Sequence, residues 1–465
     1  MLEWIKVSEN SPYFITQSGL NWTPVGQNDA IAWPDLIGIY KKRDLPSAIR
    51  YFEMMQDNGV NCMRLMLEYC QTNQYYLEKP AGKFLPPMVQ FWDDIFSLCK
   101  NYGIRILLTP FDTFWMWRRW KHHPYNKSSG GPCKQRSKWL SCPEMRIYIK
   151  NRLSFVTDRW GGSGVIFAWD LWNEIHPVHV NHETAHLVEF VEDIGTFLKE
   201  QEHSIHGMTH LQTVSVYGHE LLQSQSLSSM LFRNPVLDFA STHFYEKGTI
   251  DNPRDTITPA LATGKLVREA LDQIDDNRPF MDTEHGPIYA YKKKKAGLPE
   301  AFDDEYFIQM QWAHLASGAC GGGMRWPYRQ PHTLTNGMRK SQASLSAFAK
   351  LVDWKEFKRK NISENVLITP DDFHSFCCGS GTKVLLWLLK KKMKKVRKKD
   401  SCEGAVCCIL IEQMEPGTYQ VICWDTVNAR IATTQEVEVS AEVNFTLRFV
   451  ADDKDLLLLA KKIFR

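Results

Sequence analysis

Short apolar runs alternate with longer amphipathic stretches from about residue 20 to residue 352. The apolar runs are "LNWTPVG" (20–26), "VNCMRLML" (60–67), "IRILLTP" (104–110), "GVIFAWDLW" (164–172), "LQTVSVY" (211–217), "VLDFASTHFY" (236–245), "PFMDTE" (279–284) and "GACGGGMRW" (318–326). Segments of this length bounded by turn residues read as strands. Helical spacing follows near 44–57, 90–101 and 144–159, from about Asn181, and near 256–273, 303–316 and 341–352. Eight strand-like runs, most followed by a helix, predict an α/β fold, a parallel (β/α)₈ TIM barrel. The fifth and sixth units carry the weakest pattern.

After about residue 365 the texture changes. "KVLLWLL", "AVCCILI", "GTYQVICWD" and "EVNFTLRFV" alternate with turn signals and no helical spacing. This predicts a small C-terminal antiparallel β-sandwich, with the Lys-rich stretch as a long hairpin loop. A chain of 465 residues also exceeds the usual size of one core. The expected division is a barrel over 1–365 and a β-sandwich over 366–465.

A net charge of +3 gives no whole-molecule argument for nucleic acid. Two basic runs, Lys292–Lys295 and Lys390–Lys399, lack interleaved aromatics for stacking bases and read as solvated loops. The twelve cysteines form no C-x-x-C pair, and no zinc spacing is present. Cys133 and Cys142 flank a polar loop and could pair in an exported protein. The start "MLEWIKVSENSPYF" has no apolar signal region, and no run reaches the length of a membrane span. The expectation is a cytoplasmic protein, or a secreted one whose export signal has been removed, with no membrane partner.

One strand carries a chemical oddity. "FAWDLWNEIHP" (167–177) ends its apolar run in Asn173 and Glu174. Ionising a buried carboxylate costs several kcal/mol unless it is paired, so Glu174 is either a rim salt bridge or a group kept for chemistry. Glu284, in "MDTEHGP", closes the seventh run in the same manner. On a barrel, both strand ends open at the active-site mouth. Two facing carboxyls suit glycoside cleavage, one protonating the leaving oxygen while the other attacks the anomeric carbon. Their surroundings must then push the two pKa values apart.

Trp169-x-x-Trp172-Asn173-Glu174 resembles the fourth-strand motif of clan A glycoside hydrolases, most of all family 5. "TEHG" (283–286) resembles that clan's seventh-strand nucleophile. Arg64, His243-x-Tyr245 and Trp326 stand at matching strand ends. The likeness spans about three-quarters of the chain. It implies Glu174 as acid/base, Glu284 as nucleophile, Asn173 on the sugar 2-hydroxyl, and Arg64 and Tyr245 hydrogen-bonded to Glu284. It further implies His243 on sugar or on Glu174, Trp326 as a floor for the reacting ring, and no cofactor or metal. The clan's unusual cis peptide after this tryptophan would be cheaper here, because Pro327 follows. The sequence departs from the family at Ile175, where proline is common, and at His285, where an aromatic is common.

The implied reaction is double displacement on a β-linked carbohydrate of mannan or glucan type. "FDTFWMWRRW" (111–120) is aromatic enough to line sugar subsites through Trp115 and Trp117, with Trp22 and Trp33 as weaker candidates. Sugar-binding without catalysis is one alternative, although such a protein would be expected to lose a carboxylate. Zinc peptidase chemistry is another, because "HETAH" (182–186) spells H-E-x-x-H with His176 and His179 nearby. A helix capped at Asn181 would put His182 in its first turn, a poor place for that site.

Overall fold

The structure, a computed structural model, describes residues 2–463 except 71–74, 246–254, 287–298, 328–331, 392–405, 441–443 and 451–454. The chain opens with an antiparallel ribbon, β1 (Ile5–Val7) and β2 (Phe14–Thr16). A parallel sheet follows in sequential order: β3 (Gly26–Asn28), β4 (Cys62–Met66), β5 (Arg105–Thr109), β6 (Ile166–Asp170) and β7 (Leu211–Thr213). A second parallel sheet joins β8 (Ser215–Tyr217), β9 (Ala240–Phe244) and β10 (Phe280–His285).

One residue, Val214, separates β7 from β8, so the fifth predicted strand is shared between the two sheets. Its first half pairs with β6 and its second half with β9. The eighth predicted strand is reduced to bridges at Arg325, which pairs with Gln27 of β3 and His285 of β10. Backbone bonds continue that link, from Trp326 N to His285 O at 2.7 Å and from Asn28 N to Arg325 O at 2.9 Å. Gly321 and Gly323 approach it at φ of +90° and +72°, conformations that only glycine takes without strain.

Helices follow the strands because their apolar faces need cover. Leu45–Asp57 is capped by Asp44, whose carboxylate accepts the Ser47 amide at 3.1 Å, and it buries Tyr51, Phe52 and Met55. Pro86–Tyr102, Pro143–Trp160, Ile257–Asp272, Glu300–Ser317 and Asn336–Ala349 match the predicted helices to within a few residues. Pro34–Lys42, Thr113–Arg119, Gly218–Gln223 and Gln225–Phe232 were not legible as helices.

Two antiparallel sheets complete the chain. Three strands, Val366–Thr369, Val406–Ile411 and Phe445–Val450, form one. The other has the order Phe373–Gly379, Lys383–Lys390, Leu456–Ile463, Gly417–Asp425 and Arg430–Val439. Side chains of both sheets, among them Leu386, Ile409, Tyr419 and Phe445, share one apolar cluster. The larger sheet turns Trp387, Leu385 and Trp424 toward Trp312 and Phe348 of the preceding helices, and Trp424 Nε1 donates to Ser344 Oγ at 3.1 Å.

Four expectations are corrected. The first strand lies at 26–28, because residues 20–22 pair back onto β2 instead. Trp22 consequently sits among Phe14 and Phe167 at the start of the strands, away from the mouth. Lys383–Lys390 and Val406–Ile411 belong to different sheets and do not pair with each other as the arms of a hairpin. The cis bonds among the described residues are Lys79–Pro80 and Thr369–Pro370, not Trp326–Pro327. Most of the Lys390–Lys399 run, and all of Lys292–Lys295, lies outside the described residues.

Trp387 is fully buried where the larger sheet meets the helices. Trp387→Ala is expected to cost about 3–5 kcal/mol, measurable as a shift in the midpoint of denaturant unfolding.

Candidate active site

Arg64 stands in the middle of β4 with its guanidinium fully buried, and four oxygens close around it. Nη1 donates to Glu284 Oε2 at 2.7 Å and to Asn28 Oδ1 at 3.0 Å. Nη2 donates to Asp170 Oδ2 at 2.8 Å and to Asn173 Oδ1 at 2.6 Å. One cation thereby ties the ends of β3, β4, β6 and β10. The fork geometry of arginine makes this possible; a lysine could not reach four planar acceptors.

Glu284 also accepts from the Tyr245 hydroxyl, and Tyr217 stacks on that phenol at 6.1 Å between centroids. Burial pushes the Glu284 carboxyl above its ordinary range, against the opposing pull of His243, Arg64 and Tyr245. Glu174 faces it across the mouth. The His243 Nδ1–H donates to Glu174 Oε1 at 2.9 Å and lies 3.9 Å from Glu284 Oε2. Ligand-capable atoms of Glu174, His243 and Glu284 all lie within 4.8 Å of one another. The Glu174 side chain is 25% exposed and that of Glu284 only 9%. Solvent therefore reaches the first carboxyl more easily.

Glu174 takes a left-handed backbone at φ 50°, held by its amide donating to Ser215 Oγ at 3.0 Å. Ser215 in turn donates from Oγ and N to Asp170, at 3.0 and 2.9 Å. Asn173 spends its Oδ1 on Arg64, leaving the Nδ2 donor with no protein partner among the described residues. Trp326 packs edge-on against Trp33 at 4.8 Å and near Tyr69 at 5.9 Å. Trp33 is thus part of the wall near the mouth. Trp115 meets Tyr69 at 6.1 Å, while Trp117 packs on the buried Trp139 at 5.7 Å.

Ser215 and four further supporting residues escaped the sequence reading. Asp170 lies inside the apolar run already singled out, and its charge was the available signal. Asn28 Nδ2 donates to Thr283 O and Met324 O, both at 2.9 Å. Asp282 sits behind Glu284, with His285 Nδ1 at 2.9 Å and His314 Nε2 at 2.8 Å from its Oδ2. Burial raises the Asp282 carboxyl, but those histidines outweigh it and hold the group below its usual range. Burial lowers His285 to about 4, so its ring is neutral at neutral pH. Asp112 caps the Thr113–Arg119 helix through the Trp115 amide at 3.3 Å, and its Oδ2 is buried without a partner. Burial, helped by Glu284 and Glu174, pushes that carboxyl far up.

The loops that frame the mouth are pinned from below by Arg152. Its Nε donates to Glu78 at 2.6 Å, Nη2 to Glu68 at 2.9 Å and Nη1 to Pro110 O at 3.0 Å. Burial would raise Glu68, yet Arg152 and His123 hold it at about 2.

The rival zinc motif does not assemble. The helix begins at Ala185, and Asn181 and His182 take left-handed φ of 55° and 68° before it. His182 therefore lies off the helix that would have aligned it with His186. His186 contacts Glu183 and Glu189 on the surface, His176 contacts Glu220, and His179 packs among Trp117, Trp139 and Trp172. Cys133 and Cys142 are free thiols in the structure.

No family model matches the chain, and no curated protein matches it. Solved structures do. A family 5 glycoside hydrolase from Bacteroides vulgatus superposes with a TM-score of 0.63 at 12% identity, covering 99% of this chain and 95% of that one. The chain shares the fold of this solved structure. A family 5 mannosidase from Rhizomucor miehei matches with a TM-score of 0.55 at 13% identity, over 76% of this chain and 99% of that one. An endo-β-1,4-mannanase from Thermotoga petrophila matches with a TM-score of 0.52 at 14% identity, over 92% and 91%. Glycoside hydrolases of this fold imply a (β/α)₈ barrel for the parallel strands, with the glutamates at the strand ends that form its mouth.

The raised Asp112 carboxyl has a consequence for stability. Between its unfolded and folded pKa the native state binds the extra proton, so this group's contribution falls as pH rises through that window. Asp112→Asn keeps the cap acceptor and removes the titration. Its melting temperature relative to the parent is expected to climb as pH rises above about 4, the unfolded value, as thermal unfolding at several pH values would show.

Proposed function

We propose that the protein is a retaining β-glycosidase acting on β-linked oligo- or polysaccharide, with Glu174 as acid/base and Glu284 as nucleophile. The supporting observation is that one carboxylate oxygen of Glu174 lies within 4.8 Å of one of Glu284. Retaining enzymes hold theirs at about 5–5.5 Å, whereas inverting enzymes leave about 6.5–9.5 Å for a water.

Arg64 and Tyr245 aim the Glu284 oxygens and stabilise the carboxylate form against burial. Glu174, nearer solvent, protonates the departing sugar and later activates water. Between these steps Glu284 carries the glycosyl group covalently, and two inversions at the anomeric carbon restore its configuration. The unpaired Asn173 Nδ2 is placed to donate to the 2-hydroxyl, and Trp326 offers a face to the ring. His243 links the carboxyls and keeps a proton on Nδ1 pointing at Glu174. Arg64 already supplies positive charge at Glu284, so turnover is expected to survive dialysis against EDTA. On this reading the parallel strands close as a (β/α)₈ barrel over 1–365, and the antiparallel sheets form a sandwich over 366–465. The mannosidases and mannanases among the similar structures favour a β-mannan-type substrate, with β-glucan next.

Glu284→Ala is expected to lose turnover on every leaving group. Glu174→Ala should lose roughly 10²–10⁴-fold in kcat/KM on substrates with poor leaving groups, yet keep most of kcat/KM on dinitrophenyl β-glycosides, whose departure needs no proton, while kcat falls because water attack on the glycosyl-enzyme has lost its base. Full activity of both variants on a neutral oligosaccharide would remove the assignment. Tyr245→Phe deletes a hydrogen bond that lowers the Glu284 pKa. The acidic limb of kcat/KM should then move to higher pH, because the nucleophile works ionised.

A further inference from the structure

Beyond the glutamates the aromatic wall leads outward. Trp326 adjoins Tyr69, Tyr69 adjoins Trp115, and Trp115 lines an open cleft of roughly 540 Å³ together with Trp117, Arg118, Arg119 and Arg136. The volume falls in the range of ordinary ligand sites, about 300–1,000 Å³. The same Trp115 also borders a small cavity lined by Asp112 and Glu68.

Its charge is one-sided. Three guanidinium groups line it and no carboxylate does. Arg118 lies over Phe114 at 4.4 Å and near Trp115 at 5.9 Å. Arg136 lies over Trp117 at 4.0 Å, with Nη1 donating to Trp117 O at 3.1 Å. Among the described residues neither Arg118 nor Arg136 forms an ion pair. Stacking on an aromatic ring fixes the guanidinium plane and leaves N–H edges free, the arrangement that binds carboxylate or sulfate oxygens through paired hydrogen bonds. Clustered like charges on an open cleft repel one another, and an oxyanion removes that cost. A neutral sugar would use the tryptophans and leave Arg118 and Arg136 without an anion.

We propose that this cleft is a subsite for an oxyanion substituent on the glycan, the carboxylate of a uronic acid or a sulfate ester, carried on a sugar away from the cleaved bond. The proposal rests on the glycosidase reading and narrows it: the natural substrate is an acidic β-glycan.

The test measures binding by the full chain carrying Glu284→Gln, which cannot turn the probes over. Hexasaccharides of β-1,4-mannan and β-1,4-glucan are compared with the same chains oxidised to uronates at C6 and with O-sulfated forms, by calorimetry. One anionic series should bind at least about tenfold more tightly than its neutral parent at low salt, and the advantage should shrink near 0.3 M salt as screening sets in. Preference for the oxidised chain identifies uronate, and preference for the sulfated chain identifies sulfate. Adding Arg118→Gln and Arg136→Gln, both on the surface or half-buried, should reduce the advantage to less than about twofold with an unchanged melting temperature. Equal affinity for neutral and anionic chains, an advantage that survives the double substitution, or equal binding of a single-stranded oligonucleotide would each overturn the proposal. Hydrolysis of neutral glycans by the parent protein without anionic preference would sink this inference alone. Anionic binding by a protein that hydrolyses no glycan would sink the glycosidase reading and leave the cleft assignment standing as a binding site.

Discussion

A single buried cation organises the mouth of this protein. Arg64 carries one positive charge into surroundings holding Asp170 and Glu284, and Asn28 and Asn173 accept from the same two terminal nitrogens, while its Nε has no partner among the described residues. Desolvating such ions costs several kcal/mol each, and close hydrogen bonds to all four oxygens offset that cost. The matching is what fixes the geometry. If Glu284 turns away, Arg64 loses a charged partner in a place where water cannot replace it. If Asp170 moves, Ser215 follows, and with it the amide hold on Glu174. The two carboxyls are thus coupled through a network that neither could leave cheaply, and this makes their separation a property of the fold instead of a property of two rotamers.

The surrounding loops depend on a second buried arginine built on the same plan. Arg152 joins Glu68 and Glu78 to the backbone of Pro110, and its guanidinium lies over Phe111 and Tyr125 at 4.5 and 4.9 Å. These groups come from the segments after β4 and β5, which are long and irregular in sequence. Segments of that kind owe their shape to interior polar anchors more than to propensity. Their rigidity matters for chemistry, because Trp115 and Tyr69 stand on them.

Much of this was legible in the sequence, for identifiable reasons. The alternation of apolar runs with helical spacing located all of the long helices after β4, since tertiary packing there agrees with local pattern. Glu174 and Glu284 stood out because a carboxylate ending an apolar run is expensive. Arg64, Tyr245 and His243 then fell on neighbouring strand ends. The first strand was misplaced because the apolar residues around Trp22 serve the ribbon below the strands, and a hydrophobic run does not say which layer it fills. The eighth strand came through only as glycines with one bridging residue. Asp170, Asn28 and Ser215 went unseen because each acts on another side chain, and such roles leave no periodicity. Helix Thr113–Arg119 was hidden by its aromatic content, which reads as a loop lining. The C-terminal region was read from four strand-like runs and holds eight strands among the described residues; of those unseen, Arg430–Val439 is mostly exposed and lacks an apolar signature.

The left-handed backbone at Glu174 has a cost of its own. A non-glycine residue held there stores on the order of 1–3 kcal/mol, at a position where glycine would sit relaxed. The folded state thus gives up some robustness at this position, and in return the Glu174 side chain is held where it meets His243 and faces Glu284.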